Sequence, residues 1–271
     1  MTFTVLLPIY QRDDLEKRFS DVVESIYKNT ILPDQCVVLI DGSLNNSFKQ
    51  IVIQNKSKYN YQIFESGKKI GLSEILNIGI KLSRCDWIVR ADGDDINFSN
   101  RFETLKKYMT NNWDLVGSYV VELDLTNNNS MIKKLPLNFK EIKRYAKFRN
   151  PFNHMSVAFR KTSAEKVNCY PHLYLKEDYG LWIKMIMADY NCINIDQVLV
   201  EVNAGRDMYI RRGGYQYIKS EYLLYKFKIS SNLCNFFEAT IYVIIRIFFL
   251  IIPNFLKIFL YKKLLRNKNV L

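Results

Sequence analysis

The 271-residue sequence is 48% hydrophobic and 14% aromatic, which excludes a disordered chain and suits one large α/β domain with an appendage. Its formal charge is +12, and from Arg206 to the end 12 Lys/Arg face only 3 Asp/Glu, a surplus that fits either nucleic acid or an anionic membrane surface. Five dispersed cysteines without a CxxC pair exclude a disulfide framework or a zinc site and fit a reducing compartment.

Met1-Thr2-Phe3-Thr4-Val5-Leu6-Leu7-Pro8 has no basic region and runs directly into a strand pattern. It is therefore not read as a secretory signal, and a cytoplasmic location is expected. Thr4–Ile9 is an apolar run of the buried-strand kind, and Gln11-Arg12-Asp13-Asp14 suits a helix start. Phe19, Val22, Val23, Ile26 and Tyr27 then recur at helical spacing. Cys36–Ile40 is a second strand that stops at Asp41-Gly42-Ser43, and Tyr61–Phe64 a third. Leu72–Leu82 is a helix with Leu72, Ile75, Leu76 and Ile80 on one face. Trp87–Val89 is a fourth strand, running into Arg90-Ala91-Asp92-Gly93-Asp94-Asp95. Such alternation implies a mostly parallel sheet covered by helices on both faces, with ligands bound beyond the carboxyl ends of the strands. Asp41 and the Asp92–Asp95 cluster both fall at those ends.

The middle of the chain is mixed. Val116–Leu123 and Ser156–Phe159 read as strands, Lys140–Phe148 and Tyr179–Ala188 as helices. A basic loop from Arg206 to Tyr217 follows, then a helical region, then an apolar and basic tail, Phe236–Arg266.

Three carboxylates on the tight turn Asp92-Gly93-Asp94-Asp95 repel one another unless a hard divalent cation with oxygen ligands sits among them. Such a cation can bridge to a diphosphate and neutralise charge as it leaves. An acidic surface turn is the alternative.

With these residues in view, the chain resembles the family 2 glycosyltransferases of GT-A fold. The resemblance rests on Val5-Leu6-Leu7-Pro8-Ile9-Tyr10, Leu39-Ile40-Asp41-Gly42-Ser43, Gly71-Leu72 with Asn77 and Gly79, Asp92-Gly93-Asp94-Asp95 with Arg101-Phe102, and Glu177-Asp178 before Trp182. These stand in the family's order over about the first 200 residues. One departure is visible: the second strand ends Ile-Asp-Gly-Ser where many relatives carry two consecutive aspartates.

The resemblance implies a catalytic domain at 1–205, divided into a nucleotide-binding half, 1–100, and an acceptor-binding half, 101–205. A basic loop and amphipathic, membrane-associating helices at 206–271 complete the chain. It implies a donor site of Pro8, Tyr10, Asp41, Gly71, Asn77, Asp92, Asp94 and Arg101. Tyr10 and Asp41 hold the base, Asp92 and Asp94 contact ribose and a Mn²⁺ or Mg²⁺ ion, Asp95 supports them, and Arg101 braces the loop. Neighbouring helical residues point about 100° apart, so Glu177 and Asp178 cannot both face one acceptor hydroxyl. The helix macrodipole keeps such carboxylates ionised; the resemblance makes Asp178 the catalytic base, a helix cap being the alternative. The resemblance also implies a single displacement with inversion at the anomeric carbon.

Three further segments are candidates. Asn150-Pro151-Phe152-Asn153-His154-Met155 faces the acceptor in relatives, so Asn153 and His154 are acceptor-binding candidates, a backbone-bonded loop histidine being the alternative. Arg211 and Arg212, beside Gly213-Gly214, suit a diphosphate through bidentate bonds, or form a solvated basic loop. The run Ile241–Ile252 is interrupted by Arg246, ended by Pro253 and shorter than the about 20 residues that cross a bilayer. With Phe255–Leu265 and its lysines it suits helices lying in an anionic interface, or packing on the catalytic domain.

The expectation is an inverting hexosyltransferase using UDP-glucose or UDP-galactose. Its acceptor is a polyprenyl-diphosphate-linked saccharide of a bacterial surface polysaccharide, met at the cytoplasmic face of the inner membrane. The alternatives are a nucleotidyltransferase of similar fold, whose Gly-rich basic loop is not found after the first strand, and a nucleic-acid binder, for which no motif is recognisable. A non-catalytic membrane-bound relative is the third alternative.

Overall fold

The computed structural model describes residues 1–124, 129–203 and 215–251. The first third alternates β1 (Phe3–Ile9), α1 (Asp13–Tyr27), β2 (Gln35–Ile40), α2 (Asn46–Lys58), β3 (Gln62–Glu65), α3 (Leu72–Leu82) and β4 (Trp87–Arg90). Next come β5 (Ile96–Asn97), α4 (Arg101–Met109), β6 (Leu115–Asp124), β7 (Asn129–Lys133), α5 (Phe139–Ala146), β8 (Ala158–Arg160), α6 (Lys161–Lys166), α7 (Glu177–Met187) and β9 (Cys192–Asn203). Two helices close the described chain, α8 (Tyr215–Ser230) and α9 (Phe236–Ile251).

The strands form one sheet in the order β3-β2-β1-β4-β8-β6-β9-β5, with β7 beside β6. β3, β2, β1 and β4 run parallel, β8 runs against both of its neighbours, and β6 pairs parallel with β9. Every residue of β1 is buried because the sheet is covered twice. Val5, Leu7 and Ile9 meet Phe19, Val22 and Ile26 of α1 on one face. Leu6 meets Ile75, Leu76 and Ile80 of α3 on the other. The two faces consume alternate residues, so the strand reads as an unbroken apolar run.

The second half differs from the expectation in detail. The strand expected at Ser156–Phe159 starts later, because His154–Ser156 forms a 3₁₀ turn ahead of β8. β9 was not anticipated, although Ile193, Ile195, Val198, Val200 and Val202 mark it with near-alternating apolar residues around a bulge. α8 and α9 do not stand apart from the catalytic body. Leu224, Leu233, Ala239 and Tyr242 join the same core as Leu181, Trp182, Met185 and Ile186 of α7. Packing thus runs on past the expected boundary at 205.

α9 is also turned inside out. Tyr242 faces the protein, whereas Phe237 is 77% exposed, Ile241 53% and Ile244 62%. Among the described residues no helix is long and apolar enough to cross a membrane.

Candidate active site

The parallel strands β1, β2 and β4 end at one edge; Tyr10 and Asp41 follow β1 and β2 directly, and Asp92 lies two residues beyond β4. Asp41 folds back onto the loop ahead of α3, its carboxylate accepting from the backbone N–H of Ile70 at 2.7 Å and of Gly71 at 3.1 Å. Gly71 sits at φ +94°, a conformation that disfavours any side chain. The Tyr10 ring carries Lys69 Nζ 5.2 Å from its centroid, and its hydroxyl accepts from Arg12 at 2.8 Å. Pro8 is a buried β1 residue in register with Leu39. Its carbonyl lies under Gly93, where an added Cβ would come within 2.9 Å of Ile9. A side chain at position 93 would therefore force Ile9 or Leu15 to shift beneath the acidic turn.

Asp92, Asp94 and Asp95 bring their oxygens within 4.8 Å of one another. Among the described residues no other cluster of three potential ligands forms. Burial raises the pKa of Asp94 and Asp95, and the neighbouring carboxylates raise them further. Two arginines offset this charge. Arg12 Nη2 lies 2.5 Å from Asp94, and Arg90 Nη2 lies 2.5 Å from Asp92 Oδ1. That Asp92 oxygen is shielded from solvent yet makes no hydrogen bond of good geometry. An all-oxygen set of three carboxylates, of which only Asp92 and Asp94 pair with an arginine among the described residues, fits a hard divalent cation. Arg101 is fully buried and donates to Asn97 and, at 2.6 Å, to the carbonyl of Arg90, so it reaches the acidic turn through the end of β4. Burial lowers its pKa to about 9, against the pull of Asp92 and Asp95. Sequence reasoning missed Arg12 and Arg90, although a charge inside the apolar strand Trp87–Arg90 was a visible signal.

The second carboxylate pair opens α7. A cavity of about 420 Å³ is lined by Asp178 and by His154, Asn153, Arg149, Lys176 and Arg246 among others, and Glu177 is absent from its wall. Burial raises the pKa of Asp178, while Asn150 donates to its Oδ2 at 2.6 Å and Lys176 adds attraction. Glu177 is pushed up to about 7, first by burial and then by Asp178. Tyr170 stands behind the cavity wall, its hydroxyl meeting the lining residue His154.

Two candidates are committed to the protein itself. Asn77 uses both ends of its amide on the backbone of Tyr170, donating and accepting at 2.9 Å, so it ties α3 to the segment before α7. Asn153 donates to the Ser118 carbonyl at 2.9 Å, with its own oxygen buried and unpaired. His154 meets the Tyr170 hydroxyl at 3.0 Å, and burial holds its pKa well below the usual value, so the ring is neutral. Arg211 and Arg212 lie outside the described residues.

C-terminal helices supply the cavity's far wall. Glu221 of α8 is 5% exposed and takes Lys176 at 2.8 Å, Arg246 at 2.6 Å and the Tyr242 hydroxyl at 2.6 Å. These cations hold its pKa well below the carboxylate range despite burial.

The sequence profile of glycosyl transferase family 2 matches residues 4–167. Over 98% of its length the chain is 36% identical to the UDP-Gal:alpha-D-GlcNAc-diphosphoundecaprenol beta-1,3-galactosyltransferase of Escherichia coli, covering 97% of that protein. It is 33% identical to the amylovoran biosynthesis glycosyltransferase AmsE of Erwinia amylovora, over 96% of this chain and 98% of the relative. Among solved structures, residues 1–349 of S. aureus TarS in complex with UDP-GlcNAc superpose with a TM-score of 0.68 at 16% identity. The match covers 92% of this chain and 73% of that one. Against the longer TarS chain the coverage is 44%. At such identity the likeness establishes the fold, a mostly parallel curled sheet between helices.

Proposed function

The chain belongs to glycosyl transferase family 2 and is a glycosyltransferase, and from that premise we propose that it moves a hexose, galactose in the first instance, from a UDP-sugar to a lipid-linked saccharide. The choice of sugar and acceptor rests on the E. coli relative, whose name specifies UDP-galactose and a diphosphoundecaprenol-linked GlcNAc. Bacterial surface polysaccharide is the product class that this relative and the amylovoran enzyme support.

The observation that carries the reading is the presence of two carboxylate sites, a three-aspartate cluster at the carboxyl edge of the sheet and Asp178 in a cavity. Asp41 and Tyr10 would take the nucleoside, and Asp92 and Asp94 would hold a Mn²⁺ or Mg²⁺ ion. When bound, that cation offsets the charge of the departing UDP. Asp178 accepts the proton of the acceptor hydroxyl as its oxygen bonds the anomeric carbon and the carbon–diphosphate bond breaks. One displacement inverts the configuration. The raised Asp178 pKa brings the base closer to working pH, where general-base catalysis is most effective.

Association with a membrane surface, on this reading the cytoplasmic face of the inner membrane, draws its support from the outward apolar face of α9, which suits the interface between lipid and water, and from the lipid-linked acceptor in the E. coli relative's name. The test is transfer to a GlcNAc diphosphate lipid from UDP-galactose, UDP-glucose and UDP-GlcNAc, with manganese or with EDTA. Galactose transfer that EDTA removes is expected. Transfer of another sugar would overturn the donor assignment, and full turnover in EDTA the cation.

A further inference from the structure

The Asp178 cavity carries more positive charge than the proton transfer requires. Lys133, Arg149, Lys176 and Arg246 all line it, and Asp178 is its one lining carboxylate. Glu221 offsets two of these cations from behind, through its contacts with Lys176 and Arg246. Arg149 is not offset. Its guanidinium lies 5.8 Å from the Tyr145 ring centroid, and no carboxylate pairs with it among the described residues. A planar fork held on a ring with its donors unspent suits an oxyanion.

The cavity mouth has the opposite character. Phe148 and Leu175 line it and are 40% and 42% exposed. An apolar mouth over a cationic interior matches an amphiphile with an anionic head. Arg149 on the Tyr145 ring and the Lys176–Arg246 pair on Glu221 present donors at two separate places, which suits the two negative groups of a diphosphate ester. At about 420 Å³ the space falls within the range that holds small ligands, roughly 300–1,000 Å³. The donor diphosphate has its own place at the acidic turn, where the carboxylates require a cation before any phosphate can approach.

We infer that this cavity binds the diphosphate of a lipid-linked acceptor, with Arg149 as its principal specificity residue and the lipid chain leaving over Phe148 and Leu175. The inference rests on the functional reading above and deepens it: the enzyme reads the diphosphate as well as the sugar. Lys176 and Arg246 supply the second half of the anion site, held in place by Glu221.

The experiment is calorimetric titration of the full chain, in EDTA, with decyl diphosphate, decyl phosphate and decanol. EDTA keeps the acidic turn free of cation, so the titration reports the cavity alone. Decyl diphosphate should bind roughly tenfold or more tightly than the monophosphate, and Arg149→Gln should weaken it by a similar factor. Arg149 is partly buried and its side chain makes no ion pair among the described residues, so the variant is expected to fold, and unchanged UDP binding with manganese checks this. In transfer assays the variant should raise KM for a sugar diphosphate lipid and leave KM for the UDP-sugar alone. Equal binding of the three probes, or a variant that weakens UDP and spares decyl diphosphate, would overturn the inference. Diphosphate binding lost in Arg149→Gln without transfer to any sugar diphosphate lipid would support the cavity and overturn the functional reading instead.

Discussion

The donor edge and the acceptor cavity are built in opposite ways. At the donor edge the chemistry is acidic, local in sequence and set at the ends of parallel strands: Asp41 follows β2 and Asp92-Gly93-Asp94-Asp95 follows β4. In the cavity the chemistry is cationic and comes from distant elements, with Arg149 after α5, Lys176 before α7 and Arg246 on α9. One site is made by the sheet's topology, the other by the docking of helices onto its flank. Changes should therefore damage the two halves independently.

The largest separation is expected from Asp178→Asn. Losing the general base should lower kcat by about 10²–10⁴-fold while UDP affinity stays the same. Normal turnover would move the base elsewhere. The pH profile adds to this: because the Asp178 pKa is raised, the wild-type rate should fall in acid from a higher pH than an ordinary aspartate sets.

Asp94→Ala should cost about 10²–10³-fold in kcat, the size of effect seen when one charge-stabilising group is lost. It should abolish the manganese dependence of UDP binding and leave decyl diphosphate affinity intact. Loss of both affinities would show that the halves are not independent.

Glu221→Gln attacks only the cavity. It leaves Lys176 and Arg246 partly buried without their carboxylate, a change that costs about 3–5 kcal/mol in comparable buried pairs. Urea denaturation measures it. Glu221 has a depressed folded pKa, so its contribution is fully present above the unfolded value of about 4.3 and is lost as pH falls towards the folded one. The variant should remove that acid sensitivity.

The smallest effect on chemistry is expected from Phe237→Glu combined with Ile244→Glu. Both side chains point away from the protein, so turnover with a detergent-dispersed acceptor should hold. Flotation with anionic vesicles should drop, and unchanged flotation would exclude this face as the contact.

The same contrast governs what the sequence revealed. Asp41 and the acidic turn were legible because a strand end carries its ligands on consecutive residues. Arg12 and Arg90 escaped because their pairing with Asp94 and Asp92 depends on loops meeting in space. Asn77 shows the limit of a motif: it lies beside the site, but its amide is spent on the Tyr170 backbone. A motif fixes position and says little about where a side chain points. The cavity was visible only in part, through Asp178, Asn153 and His154, because no spacing links Arg149 to Arg246. The tail was read as basic and apolar, yet Arg246 faces inward to Glu221 while the apolar residues face out.

That reversed helix has a kinetic consequence. Its inner face supplies Tyr242 and Arg246 to the cavity wall, while its outer face is greasy. On the interfacial reading, such an enzyme would search for its acceptor in two dimensions, and turnover would follow the acceptor's mole fraction in the surface. Inert lipid added at constant total acceptor would then slow the reaction.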